Sequence, residues 1–344
     1  MTSRTSFEEK QLQDLLNPFA IPLKQKVPIV PKKKRIIILA GPTAVGKTQL
    51  SLSMAKAIGG EIVSADSMQV YRGMDIGTAK IRPEDRGTIR HHLVDSRDLD
   101  ESFNVVDFYH EANQAFHEIF AREHVPIVVG GTGFYIHALL YGPPKGPASK
   151  PDLRFQLERE MSEQGPLALY ERLKTLDPEY AKTITVRDRH KIIRALEIMT
   201  LTQQKVSFFQ PSKETTHDYD FRCWFAYMPK EVLYPRIEKR CDDMLIQGFV
   251  EEVRRLEHEG LRKNTSASQA IGYRQCLEFL STPQTADDHA HFIDAFKQAS
   301  RRYAKRQFTW FRREPLFRWL NIASCGTDTA LEMMIQDYEL GCTP

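Results

Sequence analysis

The sequence predicts an α/β fold, a parallel sheet with helices on both faces, carrying a mainly helical insertion. Three observations lead there. The apolar, β-branched run Ile36, Ile37, Ile38, Leu39, Ala40 passes directly into the glycine-punctuated octet GPTAVGKT at residues 41–48, and then into a helical pattern that stops at Gly59 and Gly60. Two further short strands, residues 61–65 and 125–129, alternate with helical stretches, and strand-helix alternation of this kind builds a parallel sheet covered on both faces. The composition breaks at Gly142, and from residue 152 to about 218 the pattern is helical, with no convincing strand in it.

The octet matches G-x-x-x-x-G-K-[ST], so the sheet is expected to be P-loop NTPase-like. Gly41, Pro42, Thr43, Ala44, Val45, Gly46, Lys47 and Thr48 form a loop whose backbone N–H groups wrap a diphosphate or triphosphate. Lys47 and a magnesium ion held by Thr48 would neutralise the charge, at the N-terminus of a helix whose dipole favours an anion. The second strand ends at Asp66. Strand ends in open α/β sheets face the ligand crevice, which aims Asp66 at the phosphate loop. The following 66–80 segment, SADSMQVYRGMDIGTAK less its first two residues, has neither helical nor alternating periodicity and reads as a site-forming loop. Asn104 and Asp107 form a capping-box start for a helix with Val105, Phe108, Tyr109, Ala112, Phe116, Ile119 and Phe120 on its apolar face. The strand at 125–129 runs into Gly130, Gly131 and Thr132, so the acid that phosphoryl-transfer sites place on a neighbouring strand is missing there. Asp66 is the alternative acid.

Composition shifts at GPPKGPASKP, and helices are expected over 152–163, 166–175 and 188–202 before the chain returns to the sheet near Phe221. A long helix from Lys230, interrupted at Gly248, places Arg236 and Arg240 on one face, where both can approach one anion. The last long helix puts Phe292, Ala295, Phe296, Ala299, Tyr303 and Trp310 on one face. The organisation is therefore a loose leader at 1–35, an α/β core at 36–143 and 221–320, a helical insertion at 144–220, and a C-terminal tail at 321–344.

The chain has 344 residues, 41% hydrophobic and 27% charged, with a net charge of +3, as expected of a soluble globular protein. Residues 297–318 concentrate eight basic side chains against Glu314 alone, a local anion-binding surface or a solvated face. The Lys32, Lys33, Lys34, Arg35 cluster reads as a solvated flank of the first strand. Five widely spaced cysteines, none in C-x-x-C form, indicate neither a disulfide framework nor a zinc site. No run approaches the ~18 apolar residues of a membrane span, and no signal peptide opens the chain, so a cytoplasmic protein is expected.

GPTAVGKT, SADSMQVYRGMDIGTAK, VGGTGFYIHALLYG, DRHKIIRALE, SQAIGYRQ and AKRQFTWFR follow one another in the order and spacing of the tRNA dimethylallyltransferases, the isopentenyl-diphosphate:tRNA transferases. The resemblance spans residues 36–319 and is to the bacterial form, since no Cys/His zinc-finger pattern follows Trp319. It implies transfer of a dimethylallyl group from dimethylallyl diphosphate to N6 of the adenosine 3′ of a tRNA anticodon, by a monomer that engages the anticodon stem-loop. The phosphate loop would then hold the leaving diphosphate, with no ATP consumed. Asp66 would accept the amine proton, Arg240 would stabilise the leaving group, and Thr132 would line the channel where base and allyl group meet, unless its hydroxyl merely caps the next helix. The resemblance places Asp66, Ser67, Met68, Gln69, Thr132, Arg154, His190, Lys191, Ile192, Ile193, Arg194, Gln269, Ala270, Ile271, Gly272, Tyr273 and Arg274 against RNA. His190 and Lys191 depart from the Gln-Arg pair frequent at that position. Prenylation of a free nucleotide, a nucleotide kinase or NTPase, and an RNA-binding module stand as alternatives.

Overall fold

The computed structural model describes residues 34–209 and 219–340. Nearly all of the expected leader, with Lys32 and Lys33, lies outside the described residues, as do 341–344. Strand β1 (Lys34–Ala40) begins inside the Lys-Arg cluster. Helix α1 (Lys47–Ile58) starts from Gly46 and ends at Gly59, both at positive φ, and the chain turns at once into β2 (Gly60–Ala65). A short helix α2 (Pro83–Arg86), the two-residue strand β3 (His91–His92) and helix α3 (Val105–Ala121) follow. The expected capping box is present on α3, with Asn104 accepting from the N–H groups of Val106 and Asp107 while the Asp107 carboxylate accepts from the N–H of Asn104. Strand β4 (Val125–Gly130) and helix α4 (Gly133–Tyr141) complete the first part of the sheet domain.

Helices α5 (Pro151–Leu176), α6 (Pro178–Ala181) and α7 (Arg189–Thr202) carry no strand between them, and α5 is kinked at Gly165 before Pro166. They share an apolar cluster of their own, with Leu157, Leu169, Leu173, Ile192 and Leu196 at its centre. The chain returns as β5 (Tyr219–Tyr227) and continues through α8 (Lys230–Ile246), α9 (Phe249–His258), α10 (Tyr273–Leu280) and α11 (Ala286–Phe311). It ends in β6 (Arg318–Asn321) and α12 (Ile322–Glu339). The strands form one six-stranded parallel sheet in the order β3-β2-β4-β1-β5-β6. Burial on both faces explains the continuous apolar runs of β1 and β4, since strands in a doubly covered sheet have no solvent face to alternate with.

Two expectations need correction. Residues 321–344 are not simply a tail: α12 buries Ile322, Ala330 and Met334, and its Asp337 receives both Arg222 and Arg318. Strands β3 and β6 escaped notice because runs of two and four residues leave no periodicity to read.

One buried carboxylate ties the β2 edge together. Glu61 accepts from Arg122 Nε and Nη2 at 2.8 Å each, and from His92 and His124 at 2.7 Å each, joining β2 to β3 and to the α3–β4 turn. Burial alone would push its pKa up; the hydrogen bonds from Arg122, His92 and His124 overcome this and hold it at about 2. A depressed carboxylate stabilises the fold above its unfolded value near 4.5, and that stabilisation is lost as pH falls through about 2. Glu61→Ala is expected to cost about 3 kcal/mol, because three side chains lose the buried partner of four hydrogen bonds. Urea denaturation at neutral pH checks this, and the gap from wild type should shrink as the pH falls below 4.5.

Candidate active site

The register of the sheet creates the site. Ala40 of β1 pairs with Gly130 of β4, and Gly130 pairs with Ala65 of β2, so the three strands end level. The phosphate loop, the Gly131-Thr132 turn and the loop beginning at Asp66 therefore emerge side by side. Glycine is required where they touch: a Cβ on Gly41 would lie 2.4 Å from the carbonyl oxygen of Ala226, and one on Gly131 2.0 Å from Nε2 of Gln307.

Ala44 and Gly46 both adopt positive φ, which curls the loop back on itself ahead of α1. Lys47 Nζ donates to the carbonyls of Gly41 and Pro42 at 2.8 Å each, and Arg236 Nε donates to Ala44 O at 3.1 Å. Gln307, on α11, spans two of the three loops: its Oε1 accepts from Thr43 N–H and its Nε2 donates to Gly131 O, both at 3.1 Å.

Two cavities meet above these loops. The first, of about 460 Å³, is lined by Thr43, Ala44, Gly46, Lys47 and Thr48 of the phosphate loop with Arg236, Arg240 and Asp243 of α8. The second, of about 290 Å³, is lined by Ser67, Met68, Gln269, Ala270, Ile271 and Tyr273. Thr43, Asp66, Thr78, Arg240 and Tyr303 line both, so they form the waist between them. At that waist Asp66 Oδ1 accepts from Met68 N–H at 2.9 Å, an Asx turn that fixes the carboxylate. Burial pushes the Lys47 ammonium down to about 7, with Arg240 adding to the shift and Asp66 opposing it. Burial also lowers the Arg240 guanidinium, and Asp66 again opposes.

Thr132 makes no capping hydrogen bond to α4. Its hydroxyl instead accepts from Ser67 N–H at 3.2 Å, and Thr132 itself lines neither cavity. The 75–77 turn is held from beneath by Glu252, buried on α9, which accepts from the N–H groups of Asp75, Ile76 and Gly77 and from the Tyr273 hydroxyl at 2.6–3.2 Å. Lys80, also buried, reaches Tyr71 O, Asp75 and Asp95.

The structure thus gathers most of the residues singled out from sequence and separates others. Val45 is buried, so its side chain meets no ligand, while its N–H stays in the loop. Ile192 and Ile193 are sealed in the apolar cluster of the insertion, and the Tyr273 ring is buried with its hydroxyl on Glu252; these three side chains are structural. Arg194 spends its guanidinium on Glu197 and Pro147 O, closing the entry to the insertion. Arg154 pairs with Glu158. Among the described residues Arg154, His190, Lys191 and Arg194 line neither cavity, and His190, Lys191 and Arg274 are exposed. Gly272 has φ of 87° with no room for a Cβ beside Phe296. Sequence reasoning missed Gln307, Tyr303, Glu252 and Lys80. The available signal was a glutamine and a tyrosine four apart on the apolar stripe of α11.

A P-loop at the level end of a parallel sheet, opening through a carboxylate-lined waist into a second cavity, is the geometry of a P-loop transferase. The IPP transferase family profile matches residues 69–314. The chain is 55% identical to a tRNA dimethylallyltransferase of Protochlamydia amoebophila over 99% of this chain and 100% of that one. It is 49% identical to the tRNA dimethylallyltransferase of Chlamydia pneumoniae, over 90% and 91% of the two chains. Its fold is similar to a tRNA isopentenylpyrophosphate transferase of Bacillus halodurans, with TM-score 0.65 and 38% identity over 90% of this chain and 96% of that one. It is also similar to a eukaryotic dimethylallyltransferase whose structure captures it acting on tRNA, with TM-score 0.74 and 29% identity over 89% and 79%. The chain belongs to the IPP transferase family.

A lysine held near 7 makes anion binding proton-linked. Below that pH Lys47 is already charged; above it, binding must restore the charge, so diphosphate affinity should fall by up to about tenfold per pH unit. Calorimetry with inorganic pyrophosphate at pH ~8, in buffers of different ionisation enthalpy, is expected to show proton uptake that Lys47→Met abolishes.

Proposed function

We infer that this protein is an enzyme that transfers a dimethylallyl group to tRNA, with dimethylallyl diphosphate as donor and N6 of the adenosine 3′ of the anticodon as acceptor. The observation that carries the reading is the shared waist: a phosphate-binding cavity and a second cavity meet at Asp66, Arg240 and Tyr303. A donor diphosphate in the first cavity and an extruded base in the second would bring the two reacting atoms together there.

An adenine exocyclic amine is a poor nucleophile. Asp66, accepting its N–H, raises its nucleophilicity and takes its proton as the bond forms. The N6 electron pair forms the new bond to the allylic carbon, the carbon–oxygen bond breaks, and diphosphate leaves with that bonding pair. Charge develops on the leaving oxygen, where Lys47, Arg240 and the loop N–H groups lie. Thr132 and Tyr303 hold Ser67 and the waist, and so orient the base rather than move a proton.

The implied magnesium ion fits the donors present. Thr48 offers a hydroxyl and Asp243 a carboxylate in the same cavity. No cluster of three or more His, Cys, Asp or Glu occurs among the described residues, as suits a hard cation held mainly by substrate oxygens and water. Such an ion, when bound, supplies charge to the diphosphate oxygens.

The partner is the anticodon stem-loop, where a loosely stacked base is cheap to extrude, and a monomer acting on one tRNA is the simplest assembly. Among the described residues no helix is long and apolar enough to cross a membrane. The four described cysteines are free thiols, which supports a reducing cytoplasmic setting.

Labelled dimethylallyl diphosphate should transfer its label to tRNA only when both are present; label transfer to free adenosine monophosphate, or phosphate transfer from ATP, would overturn the reading. Asp66→Asn is expected to slow single-turnover transfer ~100-fold or more while diphosphate affinity changes little. Wild-type transfer by that variant would remove Asp66 from the proton step.

A further inference from the structure

The eight basic residues of 297–318 do not act as one surface. Lys297 pairs with Asp242, Arg301 pairs with Glu238, and Arg318 pairs with Asp337. Arg302, Lys305, Arg306 and Arg313 are exposed and have no carboxylate partner among the described residues. These four line a third cavity, an open groove of about 1040 Å³ between α4 and the C-terminal half of α11.

The groove has an aromatic wall. Phe134 is 44% exposed and Trp310 39% exposed, and their rings meet edge to face with centroids 6.3 Å apart. Gly133 makes the packing possible, because a Cβ there would lie 2.3 Å from the indole. Large aromatic faces left open to solvent beside unpaired cations are costly for a surface with no ligand. The one carboxylate in the lining, Glu314, is buried and already engaged by His137 Nδ1 at 2.9 Å, so it does not cancel the surrounding charge.

The groove adjoins the second cavity. Arg306 lines both, and its guanidinium sits over the Tyr303 ring, 5.5 Å from the centroid, so Tyr303, Arg306 and Trp310 form one face of α11 leading away from the waist. Cations that track a phosphodiester backbone, set beside aromatic faces on which bases stack, are the physical signature of single-stranded nucleic acid binding.

We propose that this groove is a stacking subsite for single-stranded RNA, holding a loop nucleotide next to the extruded adenosine by base stacking on Phe134 and Trp310 and by phosphate contact with Arg302, Lys305 and Arg313. The proposal rests on the tRNA prenyl-transfer reading and deepens it. Stacking a neighbouring base outside the waist stabilises the strand in its opened form, so that the target base is held out without any contact to the target itself.

The test uses the full chain and an anticodon stem-loop RNA, with Phe134→Ala, the triple variant Arg302→Gln, Lys305→Gln, Arg313→Gln, and thermal unfolding to verify folding. Phe134→Ala is expected to weaken RNA binding by about tenfold, within the range measured for single stacked bases. The triple variant should reduce the slope of log Kd against log salt by about 2, the value for three single-strand phosphate contacts. Removing the base of one nucleotide flanking the target should weaken binding to the wild type and leave Phe134→Ala unaffected by that removal. Wild-type RNA affinity and salt slope in folded variants, alongside intact label transfer to tRNA, would overturn the subsite alone and leave the groove to another occupant such as an acidic peptide. Absence of label transfer to tRNA by the wild type would instead overturn the functional reading.

Discussion

Asp66 faces two cations, Lys47 and Arg240, that burial has made costly to keep charged. Each carboxylate–cation attraction is worth more in this enclosed waist than it would be in water, and so is the mutual repulsion of Lys47 and Arg240. The three groups constrain one another, and Lys47 donates to the carbonyls of Gly41 and Pro42. A diphosphate would relieve the repulsion by supplying negative charge on the side away from Asp66. The carboxylate is then free to face the other cavity. The same electrostatic arrangement thus favours a filled phosphate site and an acid-base group directed at the acceptor.

Holding that arrangement falls to residues that touch no substrate. Gln307 fastens the phosphate loop to the Gly131 turn, so helix α11 cannot shift without moving both. Glu252 and Lys80 do the same for the loop after Asp66, from opposite ends. Buried carboxylates and ammoniums are expensive unless they are met, and here Glu252 is met by three loop N–H groups and the Tyr273 hydroxyl, and Lys80 by the Tyr71 carbonyl and the carboxylates of Asp75 and Asp95. The reward for the fold is geometric: three loops that have no regular structure keep a fixed spacing.

Local chemistry was legible in the sequence and tertiary chemistry was not. The phosphate loop, Asp66 at a strand end and the α3 capping box each depend on a few adjacent residues, so their patterns survive in one dimension. Gln307 and Glu252 act across more than 170 positions, on Thr43, Gly131, and the 75–77 turn, and although Gln307 lies on the apolar stripe of its helix, neither residue's neighbourhood names the partner it reaches. Ile192 and Ile193 were carried to the RNA with a motif whose exposed members, His190 and Lys191, alternate with its buried ones on a helix. Residues 322–339 read as a tail because Gly326 breaks the helical pattern, although the chain beyond it packs on the core. The paired and unpaired halves of the basic cluster were likewise inseparable until Asp242, Glu238 and Asp337 had positions.

Placing acceptor and leaving group in separate cavities has a chemical consequence. On the proposed reading the amine would approach the allylic carbon from the second cavity while the diphosphate departed into the first, which is the arrangement of an in-line displacement. It also keeps the polyanion away from the RNA, whose own phosphates would otherwise compete for Lys47 and the loop N–H groups. Arg240 and Tyr303 line both spaces, so each substrate is sensed at the waist by groups the other also meets. A base arriving on the Asp66 side withdraws some of the negative charge that Lys47 and Arg240 see, which strengthens their hold on the departing diphosphate as its charge grows. Water would weaken every one of these interactions, and the filled second cavity is what excludes it from the waist.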